Sequence, residues 1–161
     1  MCGHGVRGAR DESSYALPDA GNQFLASFLP LSLFHSRVLD FCLKSHPASV
    51  LICVFDFCHS GAMLSLGYVY FNGRFEKTGA QDANIFGFDK IRIAISAADV
   101  KNSTPEDANG GYLTQYLTYL LAKYKYLSLW LIDGEREFSK NSFVIKTNQE
   151  IDPKKPFIEL V

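Results

Sequence analysis

Six consecutive apolar residues, Val50-Leu51-Ile52-Cys53-Val54-Phe55, constrain this chain more than any other stretch. A run without polar alternation reads as a strand buried on both faces, which points to a parallel sheet rather than a half-solvated antiparallel one. A sheet of that kind needs helices over both faces. Chemistry in open α/β sheets gathers just past the carboxyl ends of the strands. This run ends there in Asp56-Phe57-Cys58-His59-Ser60-Gly61, a polar cluster in which Gly61 lets the chain turn sharply.

The rest of the chain alternates between strand and helix patterns. Ile91 to Ser96 repeats the buried-strand pattern, and Phe143 to Thr147 alternates as a strand, with Pro153 and Pro156 closing the chain. Gln23 to Leu43 carries apolar residues at helical spacing, broken by Pro30, and predicts a helix over Ser32 to Lys44, where His35 reads as a surface residue, as does His46 just beyond. Helix-start signals at Thr104, Pro105, Glu106 and Asp107 precede an apolar stripe of Leu113, Leu117, Leu120 and Leu121, which predicts a helix over Gly111 to Lys123 covering a sheet face. Leu127 to Ile132 fits helix or strand by periodicity alone. Tyr70 to Lys90, rich in Gly, Asn and charge, reads as a loop. The expected architecture is a three-layer α/β fold with a mostly parallel sheet and helices on both faces.

Composition narrows the functional classes. At 161 residues, 47% hydrophobic and 20% charged, the chain suits one core and is short for two. A net charge of −1 leaves no electrostatic footprint for nucleic acid, so the five tyrosines between 112 and 126 read as amphipathic core edges rather than a stacking platform. Phe24 to Phe34 contains Pro30 and is too short to span a bilayer, and Arg7, Arg10, Asp11 and Glu12 interrupt any signal-peptide core. Four cysteines without metal-ligand spacing suggest reduced thiols and a cytoplasmic location.

Among those cysteines Cys58 alone stands in a polar cluster at a strand end. One reading makes it a thiolate nucleophile served by an imidazole base, and the other a buried small hydrophobe. His59 is adjacent, but consecutive strand side chains point to opposite faces. His4 is the better partner, and Gly3 and Gly5 around it let a carbonyl approach backbone amides as an oxyanion site requires.

Gly3-His4-Gly5, Asp56-Phe57-Cys58-His59-Ser60-Gly61 and Leu66-Gly67-Tyr68-Val69-Tyr70 resemble the metacaspases, caspase-related cysteine peptidases. Ile95-Ser96-Ala97-Ala98-Asp99, Gly110-Gly111-Tyr112-Leu113-Thr114 and Asp152-Pro153-Lys154-Lys155-Pro156-Phe157 are similar to the small-subunit region of the type I members. In caspases the base lies about 50 residues before the cysteine, and here the separation is 58 − 4 = 54. The resemblance implies one caspase-like domain over 1–161: a large-subunit-like part over 1–70, an intersubunit-type linker over 71–90 and a small-subunit-like part over 91–161. It implies Cys58 as nucleophile, His4 as base and the amides of Gly5 and Cys58 as oxyanion donors. Asp56 matches the acid of the S1 pocket that selects Arg or Lys, a pairing that a carboxylate makes well with a fixed cation. Cys2 stands where the family has a pocket serine, and Arg74 and Lys77 become candidate self-cleavage sites. The same resemblance makes Leu127 to Ile132 helical.

Departures from the pattern carry their own expectations. The family binds calcium through a dense acidic loop, an aspartate pair and a further aspartate after the cysteine. Here Asp11, Glu12 and Asp19 keep part of the loop, Gln23 to Ser27 lacks the pair, and Ser65 replaces the last carboxylate. Calcium takes about six to eight oxygen ligands, so no metal or other cofactor is expected. A caspase-like domain also places strands before its histidine, and the resemblance therefore implies that the N-terminal strands are missing and that Val50 to Phe55 has an open edge. The leading expectation is a monomeric endopeptidase acting on proteins or peptides after Arg or Lys, with no nucleic-acid or membrane partner. The alternatives are a catalytically inactive caspase-like binding or scaffold module, and a redox or acyl-transfer thiol enzyme. Cys53, five residues before Cys58, is badly placed as a resolving thiol for the latter.

Overall fold

The computed structural model describes residues 5–7, 13–16, 28–30, 50–64, 66–79, 91–98, 106–107, 110–135 and 143–160. His4, Cys2, the acidic loop, the expected helix over 32–44, Ser65 and residues 80–90 lie outside them. The central sheet contains β4 (Val50–Phe55), β5 (Tyr68–Phe71), β6 (Arg74–Lys77), β7 (Ile91–Ser96) and β11 (Val144–Thr147), in the order β4-β7-β11-β5-β6. Before it in sequence, β1 (Gly5–Arg7), β2 (Ser13–Ala16) and β3 (Phe28–Pro30) form an antiparallel ribbon. Two short antiparallel pairs complete the strands: β8 (Glu106–Asp107) with β9 (Gly110–Gly111), and β10 (Tyr126–Leu127) with β12 (Ile158–Glu159).

The fold is mixed α/β. Parallel pairing is narrower than the apolar runs predict: β4 and β7 run parallel from Val50↔Ile91 to Phe55↔Ser96, whereas β7/β11, β11/β5 and β5/β6 are antiparallel. The two strands that pair in parallel are Val50–Phe55, an uninterrupted apolar run, and Ile91–Ser96, which is buried from Arg92 onward although Arg92 interrupts its apolar pattern. β4 is nevertheless only half-buried over Val50–Val54, becoming fully buried at Phe55. Its position explains this, because among the described residues β4 pairs with β7 alone and forms the end of the sheet.

Alternation divides the side chains between two cores. On one face Ile93 and Ile95 of β7, Ile145 of β11 and Tyr70 of β5 meet α1 (Tyr112–Tyr124) and α2 (Leu129–Gly134). The stripe expected on α1 is buried as Leu113, Tyr116, Leu117 and Leu120, with Leu121 half-buried. On the other face Phe55, Phe57, Met63, Leu64, Leu66 and Ala94 form a second core, with Leu51 and Cys53 packed against it. Among the described residues both helices thus cover one face, and the segment from Phe57 to Leu66 covers part of the other.

Local chemistry sets the element boundaries. Helix α1 spans Tyr112–Tyr124 against the expected Gly111 to Lys123, and of the residues read as helix-start signals Glu106 and Asp107 pair with Gly111 and Gly110 as a strand bridge. Leu127–Ile132 resolves into a strand end and a helix: Ser128 accepts a hydrogen bond from the Leu131 amide at 3.2 Å and caps α2. The expected loop from Tyr70 to Lys90 begins instead with a hairpin, in which Asn72 and Gly73 both take positive φ (49° and 78°). That Asn-Gly pair supplies the tight turn whose twist matches two antiparallel strands. The Gly73 amide donates to Asp133 Oδ2 at 3.0 Å, which ties the hairpin tip to α2.

Tyr70 is fully buried beneath α2, and its hydroxyl has no hydrogen-bond partner. Burial, with the Asp133 carboxylate adding to it, pushes the phenol above its ordinary value. The folded chain therefore holds this proton to higher pH than the unfolded chain, so stability is full below about pH 10 and falls as the pH rises from there. Tyr70→Phe is expected to raise stability by about 1 kcal/mol near neutrality, since it removes an unsatisfied buried group. It should also flatten the alkaline decline, seen as a smaller drop in the urea midpoint between pH 8 and 10.5.

Candidate functional site

The parallel pair ends at Phe55 and Ser96, and the Ala97 amide donates to the Phe55 carbonyl at 2.8 Å, holding the two carboxyl ends together. From that platform the chain leaves the sheet. Phe55 and Phe57 both point into the second core, their rings 6.0 Å apart edge to face. Alternation then sends Asp56 to the side of α1.

Asp56 is 2% exposed. Its Oδ2 accepts the Thr114 amide at 2.8 Å, and its Oδ1 has no partner. Thr114 is the third residue of α1, and the residue before the helix, Gly111, has no side chain with which to cap it. Asp56 therefore does from another strand what an N-cap side chain does locally, placing a carboxylate where the helix leaves amides unpaired and its dipole favours negative charge. Gly111 lies against the carboxylate so closely that an added Cβ would fall inside it. Its φ of −70° and ψ of 141° suit any residue, so the glycine is required here for space alone.

Cys58 and His59 follow in a turn, both half-buried, and lead into a 3-10 turn at Ser60–Ala62. The strand ends at Phe55, so the alternation that sets His59 away from Cys58 does not extend to them. His59 adopts φ 59° and ψ 21°, a left-handed conformation uncommon for a residue other than glycine. Such backbone persists only where its surroundings fix it, and here they do. The buried Ser60 hydroxyl donates to the Phe55 carbonyl at 3.2 Å, the Ser96 hydroxyl to the Ser60 carbonyl at 3.3 Å, the Met63 amide to the same carbonyl at 3.0 Å, and the Lys146 ammonium to the Gly61 carbonyl at 2.6 Å. A thiol is thus carried on a turn bonded to β4, β7 and β11. Cys53 and Cys58 are both free thiols.

β2 lies against the Ser60–Ala62 turn. Gly5 pairs with Tyr15 of β2 and not with β4, so the strand that begins after His4 is not the sheet neighbour of the Cys58 strand. The resemblance implies an open edge on Val50 to Phe55, and among the described residues β4 pairs with β7 alone. The three-residue β1 pairs in the ribbon instead.

Arg74 and Lys77 fall on β6, the outer strand of the hairpin, and Arg74 makes an exposed 3.4 Å ion pair with Glu76. A peptidase site takes its substrate as a free extended strand, and these residues are already paired with Phe71 and Tyr68. Among the described residues no group of three or more His, Cys, Asp or Glu side chains could hold a metal ion, and no helix is long and apolar enough to cross a membrane.

No family model matches the chain. No curated protein matches it in sequence.

Three contributors to this site were assigned no role from the sequence: the Thr114 amide and Ser96, which lie in strings that carry the resemblance, and Lys146, which lies in none. The first was marked by a helix start with glycine where a cap belongs, which requires an acceptor from elsewhere. Lys146 was marked by its position in Val144-Ile145-Lys146-Thr147, where alternation places a cation on an inward-facing row beside Ala94 and Val69.

Proposed function

We propose that the chain is a cysteine endopeptidase of the metacaspase kind that cleaves after Arg or Lys. The observation that carries this reading is the seat of Cys58: a thiol on a turn fixed by four hydrogen bonds, just past the ends of a parallel strand pair, two residues after a buried carboxylate with one oxygen unpartnered. The contact of β2 with the same turn supports a role for the Gly5 ribbon, and so for His4 before it.

In this mechanism His4 takes the Cys58 proton and the sulfur attacks the scissile carbonyl carbon. The amides of Gly5 and Cys58 bind the oxyanion. Collapse breaks the C–N bond, the imidazolium returns its proton to the departing amine, and water then hydrolyses the thioester. Asp56 Oδ1 is the acceptor for a basic side chain, with Oδ2 held by Thr114.

A caspase-like scaffold without turnover is the second reading. It is favoured by the burial of Asp56, whose bond to Thr114 is a complete structural role in itself.

Peptides bearing Arg, Lys or Ala before a fluorogenic amine, offered with and without calcium, separate the two. The peptidase reading expects kcat/KM about a hundredfold higher for Arg than for Ala, a preference that shrinks about tenfold or more in Asp56→Asn as a desolvated charge pair is lost. A folded sample that turns over none of these peptides leaves the scaffold reading in place.

A further inference from the structure

We propose that Lys146 is a positioning residue for Cys58, an inference that rests on the peptidase reading for its catalytic consequence but not for its structural one. Lys146 projects from β11 on the face opposite Ile145, in a row with Ala94 on one side and Val69 on the other. A lysine in such a row is costly unless its ammonium reaches a polar partner. It reaches the Gly61 carbonyl, 85 residues away in sequence, at 2.6 Å. That bond is charge-assisted, and it ties β11 to the turn.

The bond acts on the backbone that follows Cys58. With the neighbouring Ser60 carbonyl held by Ser96, two successive carbonyls of the turn are drawn down onto the sheet. The two fixed peptide planes flank Gly61 and anchor the far side of the turn, against which His59 holds its left-handed conformation and Cys58 enters from β4. Nucleophile placement matters on the scale of an ångström, so a residue that touches no substrate can govern the chemical step.

The test compares Lys146→Met, which keeps length without charge, with Lys146→Arg, which keeps the donor. Site-resolved alkylation of the folded full chain by iodoacetamide reads the turn directly. In Lys146→Met the released turn exposes Cys58, and its alkylation rate rises about tenfold while that of Cys53 within β4 stays within about twofold. With the Arg peptide, kcat falls about tenfold at unchanged KM, because orientation and not binding is lost. Lys146→Arg restores both. Loss of packing alone would expose Cys53 as well and move both kinetic constants. Should Lys146→Met not fold, Lys146→Gln carries the same comparison with a neutral donor. Unchanged Cys58 alkylation, or equal changes at Cys53 and Cys58, overturns the proposal. A wild type that shows the alkylation pattern without peptide turnover overturns the peptidase reading and leaves the positioning role standing.

Discussion

Gly111→Ala is expected to cost about 3 kcal/mol of folding stability, more than a surface glycine at an ordinary backbone angle would suggest. The backbone there is extended, with φ −70°, so alanine brings no dihedral penalty. What it brings is a methyl group inside the Asp56 carboxylate. That carboxylate has little room to yield: Asp56 is 2% exposed, the strand before it is hydrogen-bonded to β7, and Phe55 and Phe57 on either side are anchored in the second core. Overpacking of a core costs about 1–3 kcal/mol, and losing a helix cap adds about 0.5–2 kcal/mol. A double-mutant cycle isolates the cause. In an Asp56→Ala background the obstacle is gone, and Gly111→Ala should then change stability by less than about 0.5 kcal/mol, giving a coupling of about 2 kcal/mol or more between residues far apart in sequence. Urea unfolding of the four proteins measures it. A Gly111→Ala single variant within about 0.5 kcal/mol of the wild type would show that the two residues are not in contact in solution.

The same contact shows why some of this site was legible in the sequence and some was not. Ile91–Ser96 and the stripe on α1 were readable because burial demands apolar residues at a fixed period, and that demand is local. Asn72-Gly73 was equally local, a two-residue turn signal that the surrounding polar residues obscure. The Thr104–Asp107 signals point to a helix start because Pro and acidic residues favour one. Pairing with Gly110 and Gly111 overrides them, and the helix then takes its cap from Asp56. No local pattern announces a cap supplied across 58 residues. The half-burial of β4 belongs to the same class, since the residues of an apolar run cannot record whether a neighbour lies on one side or two. Of the site, Cys58, Ser60 and Asp56 were legible as a cluster, whereas the bonds that fix the cluster come from Ser96 and Lys146 and are products of the sheet order.

Cys58→Ala should abolish turnover of an Arg peptide while leaving the fold intact, and it is the combination that is diagnostic. Loss of a nucleophile from a peptidase costs about 10^4-fold or more in kcat, since what remains is only binding and oxyanion stabilisation. Stability should change by less than about 1 kcal/mol, because Cys58 is half-buried in a turn whose fixed bonds come from Ser60, Ser96 and Lys146 and not from the thiol's own position in a core. Cys53→Ala supplies the opposite pattern. Cys53 packs against the second core from β4, so truncating it should cost about 1 kcal/mol of stability with kcat retained. If Cys58→Ala keeps turnover, the sulfur is not the nucleophile, whatever the geometry of its turn. If Cys53→Ala loses it while folded, chemistry resides on the strand and not past its end, contrary to the placement that the parallel pair of β4 and β7 dictates.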